Sequence, residues 1–368
     1  MNLKIESKKI SKLYGNIVFF ISLIMAIVGW VAIYSTTVCK ASSTFVFIKK
    51  QIIATILGVF LCGFLANVNY KIVIKKITLP LAIFTFLLLI AVLFSKEIKG
   101  AHRWIQLPFL GNFQPSEFAK FTVVLIIAKF LDEYRSKIIN GKKEFIIMVG
   151  IIFAYCFLIM LQPDIGIPFI IFSVSLILFF LYSIKIKHIM KIFFIILILL
   201  FVGILSQPYR IKRILSFIDK NEQSPTSYQI EQSVLALSRG GFIGCGLGRG
   251  IFKESYVPEI HTDFIFCTIG EEAGFVGCIF ILALYFFLFL FSFLIAQNTK
   301  DFYGSILVTG LALNIVIQAY ISIAVTTKLF FPKGLGLPFI SYGGSSLIIN
   351  FLSIGVILSV WRRNFYFK

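Results

Sequence analysis

The stretch FIFCTIGEEAGFVGCIFILALYFFLFLFSFLIAQ, residues 264–297, is almost wholly apolar after its first eleven residues. A helix needs only about 20 such residues to cross a bilayer, so this segment is too long for one simple span. Its polar portion GEEAG, Gly270 to Gly274, is badly suited to hydrocarbon, which offers no hydrogen-bond partners. We therefore expect a membrane helix whose outer end is set into the protein.

The rest of the 368-residue chain has the same character. Its mean hydropathy is +0.96, it contains 43 Phe, and only 14% of its residues are charged, compared with about 25% in ordinary soluble proteins. Ten segments are long and apolar enough to span: 17–36, 48–66, 77–94, 115–131, 145–162, 166–183, 192–206, 264–297, 304–326 and 342–361. The predicted fold class is all-α, a polytopic integral membrane protein with about ten transmembrane helices in one domain, residues 1–368.

The distribution of Lys and Arg predicts the orientation, because short cytoplasmic loops carry the excess of basic residues. With the N-terminus in the cytoplasm, the inner segments hold 19 of the 35 basic residues and the short outer loops hold eight. Both tails, 1–16 and 362–368, are then cytoplasmic, and the long 207–263 loop between spans 7 and 8 is extracytoplasmic. The net charge of +19 is mainly this topology signal, and scattered basic residues give no support to nucleic-acid binding.

The acidic residues show the opposite distribution. In this orientation eleven of the 16 acids lie at or beyond the outer interface. Any chemistry is therefore expected on the outer side of the membrane. This asymmetry also argues against a scaffold protein, which has no need to gather acids on one side.

One segment of the long outer loop, TSYQIEQSVLALSRGG, has the pattern of an amphipathic helix. Thr226 or Ser227 can cap its start, Ile230 and Leu237 share an apolar face, and Gly240 can end it. We expect this helix to lie at the membrane surface.

Four polar segments fall at predicted outer helix ends: 100–120, 161–166, 256–266 and 332–346. Their residues can converge on one cavity although they are spread over the chain. In the segment 100–120, Glu117 and Lys120 are at helical spacing and can form an ion pair. Asp164 resembles a turn or helix-start acid, and contact with substrate or a metal is its alternative role. Of Glu271 and Glu272, just inside the eighth span, at least one should face a cavity or a basic partner.

Several motifs in these segments, taken in order, resemble a known family. QPSEFAK, QPDIG, YQIEQS, PEIHTDFIF with EEAGFVG, and LPFISYGGSS are similar to those of the SEDS proteins (shape, elongation, division and sporulation), the FtsW/RodA/SpoVE family. The resemblance covers about residues 15–361 and is greatest to the FtsW cell-division branch. It implies a glycosyltransferase that polymerises lipid II into peptidoglycan glycan strands, working with a class B penicillin-binding protein and other division proteins of the membrane.

The resemblance also assigns residues by motif. The Asp of HTDFIF, here Asp263, matches the family's presumed catalytic residue, while Trp104 and Lys333 match functionally sensitive positions. Asp263 as a cap of the eighth span and Trp104 as an interfacial anchor are the structural alternatives.

The chemistry is consistent with these assignments. Joining two sugars from a lipid pyrophosphate requires a base for the incoming hydroxyl, which a carboxylate such as Asp263 can supply. The leaving pyrophosphate needs positive charge, from Lys333, Arg103, Arg210 or Arg213, or from a divalent cation such as Mg²⁺ or Mn²⁺. No organic cofactor is expected.

Three further residues have open roles. Ser341 and Ser345 can hydrogen-bond either to protein or to pyrophosphate, and Glu259 is either a solvated loop acid or a second group at the substrate. The alternative functions are an elongation polymerase like RodA and a transporter that flips a lipid-linked sugar. A transporter is disfavoured because its charged groups belong near the bilayer midplane and the chain has no clear internal repeat.

Overall fold

The computed structural model describes residues 13–37, 44–97, 101–107, 111–139, 143–182, 184–205, 225–252, 261–330 and 334–365. Twelve α-helices are found in these ranges: α1 (Tyr14–Thr37), α2 (Thr44–Asn67), α3 (Lys75–Ala91), α4 (Pro115–Glu133), α5 (Arg135–Ile139), α6 (Lys143–Leu161), α7 (Gly166–Leu181), α8 (Ile186–Leu205), α9 (Pro225–Gly240), α10 (Ile265–Asn298), α11 (Phe302–Thr326) and α12 (Gly344–Phe365). A π-helical turn, Tyr70–Ile74, leads into α3, and a 3₁₀ turn, Val92–Phe94, follows it.

Each of the ten predicted spans coincides with one of these helices. Seven are long and apolar enough, among the described residues, to cross a membrane: α1, α2, the Tyr70–Phe94 helix that contains α3, α6, α10, α11 and α12. The chain is a multi-pass membrane protein with an all-α fold. The other three predicted spans correspond to α4, α7 and α8. A total of ten crossings stays a prediction, since α4 is rich in charge and α7 has only 16 residues.

Burial separates central helices from peripheral ones. In the most apolar 18-residue stretch of α11, 83% of the residues are buried inside the protein. The corresponding share is 72% in α12 and only 28% in α2. Helix α11 packs against α4, α7, α10 and α12. The outer faces of α1 to α3 carry exposed Phe, Ile and Leu, as expected where side chains contact lipid rather than water.

A short β-hairpin was not predicted. Strand β1 (Ile105–Leu107) pairs antiparallel with β2 (Gly111–Phe113), with Gln106 opposite Asn112. The hairpin joins the α3 region to α4, and β2 also contacts α12. It therefore lies at the same end of the bundle as the start of α12.

Helix α10 is broken within the polar GEEAG portion. Gly274 has φ 66° and ψ −162°, a conformation essentially restricted to glycine. Before the break, Glu271 and Glu272 are almost fully buried. The Arg239 guanidinium lies 3.0 Å from Glu271, and the Ser35 hydroxyl donates to Glu272 at 2.5 Å. The N-terminal end of this helix is thus set into the protein, as its sequence predicted for that end.

Helix α9 confirms the helix predicted in the long loop, including its end at Gly240. Its buried residues include Ile230, Ser233 and Ala236, and it packs on α10. The apolar face therefore packs on α10 rather than on lipid alone.

Candidate functional site

Asp263 lies where two segments are hydrogen-bonded to each other: the residues just before α10 and the loop between α11 and α12. The amide of Tyr342 donates to the carbonyl of His261 at 3.0 Å, and the Ser341 hydroxyl donates to the carbonyl of Thr262 at 2.5 Å. The same hydroxyl accepts from the amide of Leu337 at 2.7 Å. The loop between α11 and α12 is in this way fastened to the residues just before Asp263.

Asp263 is half-buried just before the N-terminus of α10. The helix begins at Ile265, and Phe264 occupies the N-cap position, so Asp263 stands one residue ahead of the cap. A Cβ atom placed on Gly334 would lie 2.8 Å from Oδ2 of Asp263. The carboxylate therefore lies against the backbone of the α11–α12 loop, directly after position 333 in the chain.

The same loop reaches the start of α7. A Cβ on Gly166 would lie 2.9 Å from Cδ2 of Leu335 and 3.2 Å from Oδ1 of Asp164. Asp164 accepts from the amide of Gly166 at 2.8 Å, which confirms its interpretation as a helix-start acid. Asp164 and Asp263 therefore both lie near the short stretch Gly334 to Leu335.

Arg103 uses two of its donors to bind the turn that precedes α7. Its Nε donates to the carbonyl of Gln162 at 2.8 Å, and an Nη donates to the carbonyl of Pro163 at 2.5 Å. The guanidinium has five N–H groups, so these two bonds orient it without using all its donors. Trp104, the next residue, is half-buried and leads into β1.

A buried polar chain supports the site from within the bundle. Glu117 and Lys120 pair at 2.9 Å with both side chains less than a tenth exposed, which confirms their predicted pairing. Lys120 also donates to Gln318, and Gln318 donates to the carbonyl of Gly336 at 2.8 Å. A charged pair inside α4 is thus hydrogen-bonded, through α11, to the loop that contacts Asp263.

An aromatic cluster covers the other side of this loop. The ring of His261 lies 5.1 Å from that of Phe47 and 5.9 Å from that of Tyr342. Tyr342 is half-buried, and its ring meets that of Phe47 edge-on with the centroids 5.0 Å apart. Gln51 of α2 donates to the carbonyl of Ser341 at 3.1 Å, fixing the loop from a third helix.

The loop also carries backbone strain. Phe339 has φ 66°, although a residue with a Cβ rarely adopts this region. Its side chain is buried and meets the ring of Phe351 edge-on at 5.2 Å. Gly29 of α1 allows the close approach, because a Cβ there would lie 2.6 Å from the carbonyl oxygen of Ile340. Strain of this kind is concentrated at functional sites, where packing holds an otherwise unfavourable backbone in place.

The structure therefore brings together the four polar segments that the sequence marked. Ser345 is half-buried in the first turn of α12. The candidates Glu259, Lys333, Arg210 and Arg213 lie outside the described residues. Gln51 and Gln318 were missed by sequence reasoning, although a polar side chain inside an apolar span is itself a signal.

Comparison with known proteins gives this arrangement a family. The model of the FtsW, RodA and SpoVE family, described as "Cell cycle protein", matches residues 15–365. A probable peptidoglycan glycosyltransferase FtsW of Geobacter sp. (strain M18) is 36% identical over 362 residues, covering 95% of this chain and 97% of the relative. Stage V sporulation protein E of Bacillus subtilis is 36% identical, covering 94% and 96%.

Solved structures share the fold as well. One, from work on the structural coordination of polymerization and crosslinking by a peptidoglycan synthase complex, has a TM-score of 0.78 at 25% identity and covers 95% of this chain and 98% of that one. The rod shape determining protein RodA of Thermus thermophilus has a TM-score of 0.69 at 26% identity, covering 94% and 96%. By sequence and by fold, the chain belongs to the FtsW, RodA and SpoVE family of membrane proteins.

Proposed function

We propose that this protein is a peptidoglycan glycosyltransferase that polymerises lipid II, with Asp263 as the general base. The observation that carries the proposal is the placement of Asp263. A half-buried carboxylate stands at the end of a membrane span, held against a loop that is hydrogen-bonded to the neighbouring residue Thr262, to Gln51 of α2 and to Gln318 of α11. This position suits lipid II, which joins a water-soluble sugar to a membrane-bound tail.

The proposed reaction is a displacement at the anomeric carbon of the donor sugar. Asp263 accepts the proton of the acceptor sugar hydroxyl as its oxygen attacks the anomeric carbon of the donor. The bond from that carbon to the pyrophosphate breaks on the opposite side, so configuration inverts and lipid pyrophosphate leaves with the electron pair. A positioned general base contributes roughly 10²- to 10⁴-fold to such a step.

The other residues have supporting roles in the proposal. The remaining donors of Arg103, with Lys333, Arg210 and Arg213, neutralise the leaving pyrophosphate. Trp104 and Glu259 contact the sugars, and Ser345 hydrogen-bonds to a phosphate oxygen. Ser341 acts differently, because its hydroxyl already donates to Thr262 and accepts from Leu337. We assign it to positioning the Asp263 segment.

A divalent cation belongs to the proposal as well. No cluster of three or more acidic, His or Cys side chains suited to a metal occurs in the described part of the chain. The described residues therefore supply no metal site by themselves, and Mg²⁺ or Mn²⁺ would instead enter with the substrate's pyrophosphate and supply positive charge for its departure.

The setting of the reaction is inferred from the same evidence. The relatives named FtsW, and the wider likeness of the sequence to that branch, favour septal synthesis in cell division. We place the protein in the bacterial cytoplasmic (inner) membrane at the division septum, with both termini in the cytoplasm and Asp263 outside. Its partner is a class B penicillin-binding protein, an inference supported by the similarity to a chain of a peptidoglycan synthase complex.

The test is polymerisation of purified lipid II by the protein together with its candidate penicillin-binding partner. Asp263→Asn is expected to lower the rate by about 10²- to 10⁴-fold, while thermal unfolding and partner binding stay at the parental level. Glu97→Gln, which removes an exposed acid of the same outer side, serves as the matched control and should keep full activity. Parental rates from Asp263→Asn would refute the assignment of the base.

A further inference from the structure

The break in α10 is wrapped by a loop that we call the glycine-rich loop, residues 241–252. The amides of Cys245 and Gly246 donate to the carbonyls of Glu271 and Glu272, both at 3.0 Å. In return, the amide of Phe275 donates to the carbonyl of Gly241 at 2.9 Å. The loop therefore satisfies the backbone groups that the break releases, and it is fixed to α10 on both sides of Gly274.

The side chains of this loop are unusually apolar for an exposed segment. Phe242, Ile243 and Leu247 are 68%, 80% and 72% exposed. Phe242 stacks on Phe275 of α10 with the ring centroids 5.9 Å apart, and Phe275 and Val276 are themselves more than half exposed. Loop and helix together form one continuous apolar surface.

The length of α10 places this surface at the bilayer. From Phe275 to Asn298 the helix extends about 36 Å at 1.5 Å per residue, enough to cross a hydrocarbon core of about 30 Å. The span proper thus begins at the break, and the glycine-rich loop is hydrogen-bonded to its first residues. Phe242 and Ile243 must lie at the same depth as Phe275, at the edge of the hydrocarbon.

Leu247 is placed at the bilayer independently. It lines an apolar cavity between α1 and α10 together with Val31 and Phe280. Those two residues are nearly half exposed on two different predicted spans. Leu247 therefore borders the lipid-facing side of both helices.

We infer that residues 242–247 insert into the lipid of the bilayer and anchor the outer end of α10 to the membrane. Irregular backbone is tolerated at this depth only where its polar groups are satisfied, and α10 satisfies several of those in the loop. Arg249, exposed at the loop's far end, can extend its guanidinium to lipid phosphates. This inference concerns membrane contact and holds whether or not the chain polymerises lipid II.

Spin-label accessibility in lipid vesicles tests the inference. In a background with all six cysteines replaced, nitroxide labels are attached at Ile243→Cys and Leu247→Cys. Phe286→Cys, on the exposed face of α10 inside the span, is the lipid reference, and Glu231→Cys, an exposed position of α9, is the water reference. The labels at 243 and 247 should favour collisions with oxygen over a water-soluble nickel complex, as the label at 286 does.

Nickel accessibility at 243 and 247 equal to that at 231 would overturn the proposal, because the patch would then face water. If the cysteine-free protein does not fold, Ile243→Trp in the otherwise native chain replaces the labels. Vesicles of brominated phospholipid should quench the added fluorescence, relative to the parent protein, if residue 243 is inserted. An added signal that the bromine leaves unchanged would contradict insertion.

Discussion

The Ser341 hydroxyl has two hydrogen-bond partners within the protein itself. It is buried, and it bridges the amide of Leu337 and the carbonyl of Thr262, next to Asp263. The sequence marked this serine only as a group able to bind either protein or pyrophosphate. The two possibilities predict different kinetic consequences of removing it.

Ser341→Ala is expected to lower kcat while leaving KM for lipid II nearly unchanged, because the loop behind Asp263 loses its fixed position. The buried amide of Leu337 would be left without an acceptor, at a cost of about 1–3 kcal/mol in the free energy of unfolding. Steady-state kinetics and thermal unfolding measure both effects. Ser173→Ala is the control, since that hydroxyl bonds only within its own helix, to Phe169. A raised KM with unchanged kcat would instead indicate direct contact with substrate.

Some residue-level features were predictable because their signal is local. The spacing of Glu117 and Lys120 on one helix predicted their ion pair, and the position of Asp164 predicted an acid at a helix start, where it accepts from the Gly166 amide. The connection from Lys120 through Gln318 to Gly336 joins residues almost 200 positions apart. Such a contact depends on how α4 and α11 pack, which one sequence does not reveal.

At the level of elements, the break in α10 determines how the glycine-rich loop packs against the N-terminal part of this helix. A Cβ on Gly274 would lie 2.4 Å from the amide nitrogen of Gly244, and the φ and ψ of Gly274 exclude other residues. The sequence predicted that this end is buried, because two adjacent acids cannot both face lipid. It gave no sign that the glycine-rich loop is the element that covers the break.

Gly274→Ala is therefore expected to destabilise the protein by at least about 1–3 kcal/mol, the usual cost of a backbone conformation of this type. Displacement of the glycine-rich loop should follow, seen as faster hydrogen exchange at residues 241–252. Gly63→Ala in α2 is the matched control, because nothing lies within 4 Å of a Cβ at that site. Thermal unfolding of Gly274→Ala at the parental temperature would show that the break is not required.

The hairpin β1–β2 shows where element prediction failed. Its strands have three residues each, too few for an alternating pattern to stand out between two long apolar helices. Helix α9 was predicted well, since its end signals and apolar face are contained in one stretch of 16 residues. Its packing on α10 rather than on lipid alone was not predictable from that stretch.

At the scale of the whole molecule, the apolar segments predicted the positions of the helices because a bilayer imposes their length. Which helices are central was less evident. Helix α11 contains Asn314 and Gln318, and it is the most buried of the seven helices of the described residues that are long and apolar enough to span. Its polar residues therefore reflect an interior position rather than contact with water.

The orientation makes a prediction for intact cells. A membrane-impermeant maleimide should label Leu329→Cys, which is 79% exposed between α11 and α12 and is expected outside. It should label Lys137→Cys, in α5 on the expected cytoplasmic side, only after the membrane is permeabilised. The reverse pattern would invert the topology and place Asp263 in the cytoplasm.

Helices α2 and α12 pack closely together, although the ribosome makes them at widely separated times. They approach closely at two glycines: a Cβ on Gly58 would lie 2.7 Å from the ring of Phe351, and one on Gly355 would lie 2.9 Å from the backbone of Cys62. Roughly 280 residues separate the two helices in the chain. At 5–20 residues per second, a ribosome needs roughly 15–60 s to supply them. For that interval the surface of α2 around Gly58 lacks its native contact with Phe351. Newly inserted α2 must therefore contact lipid or an insertion factor until α12 has been made.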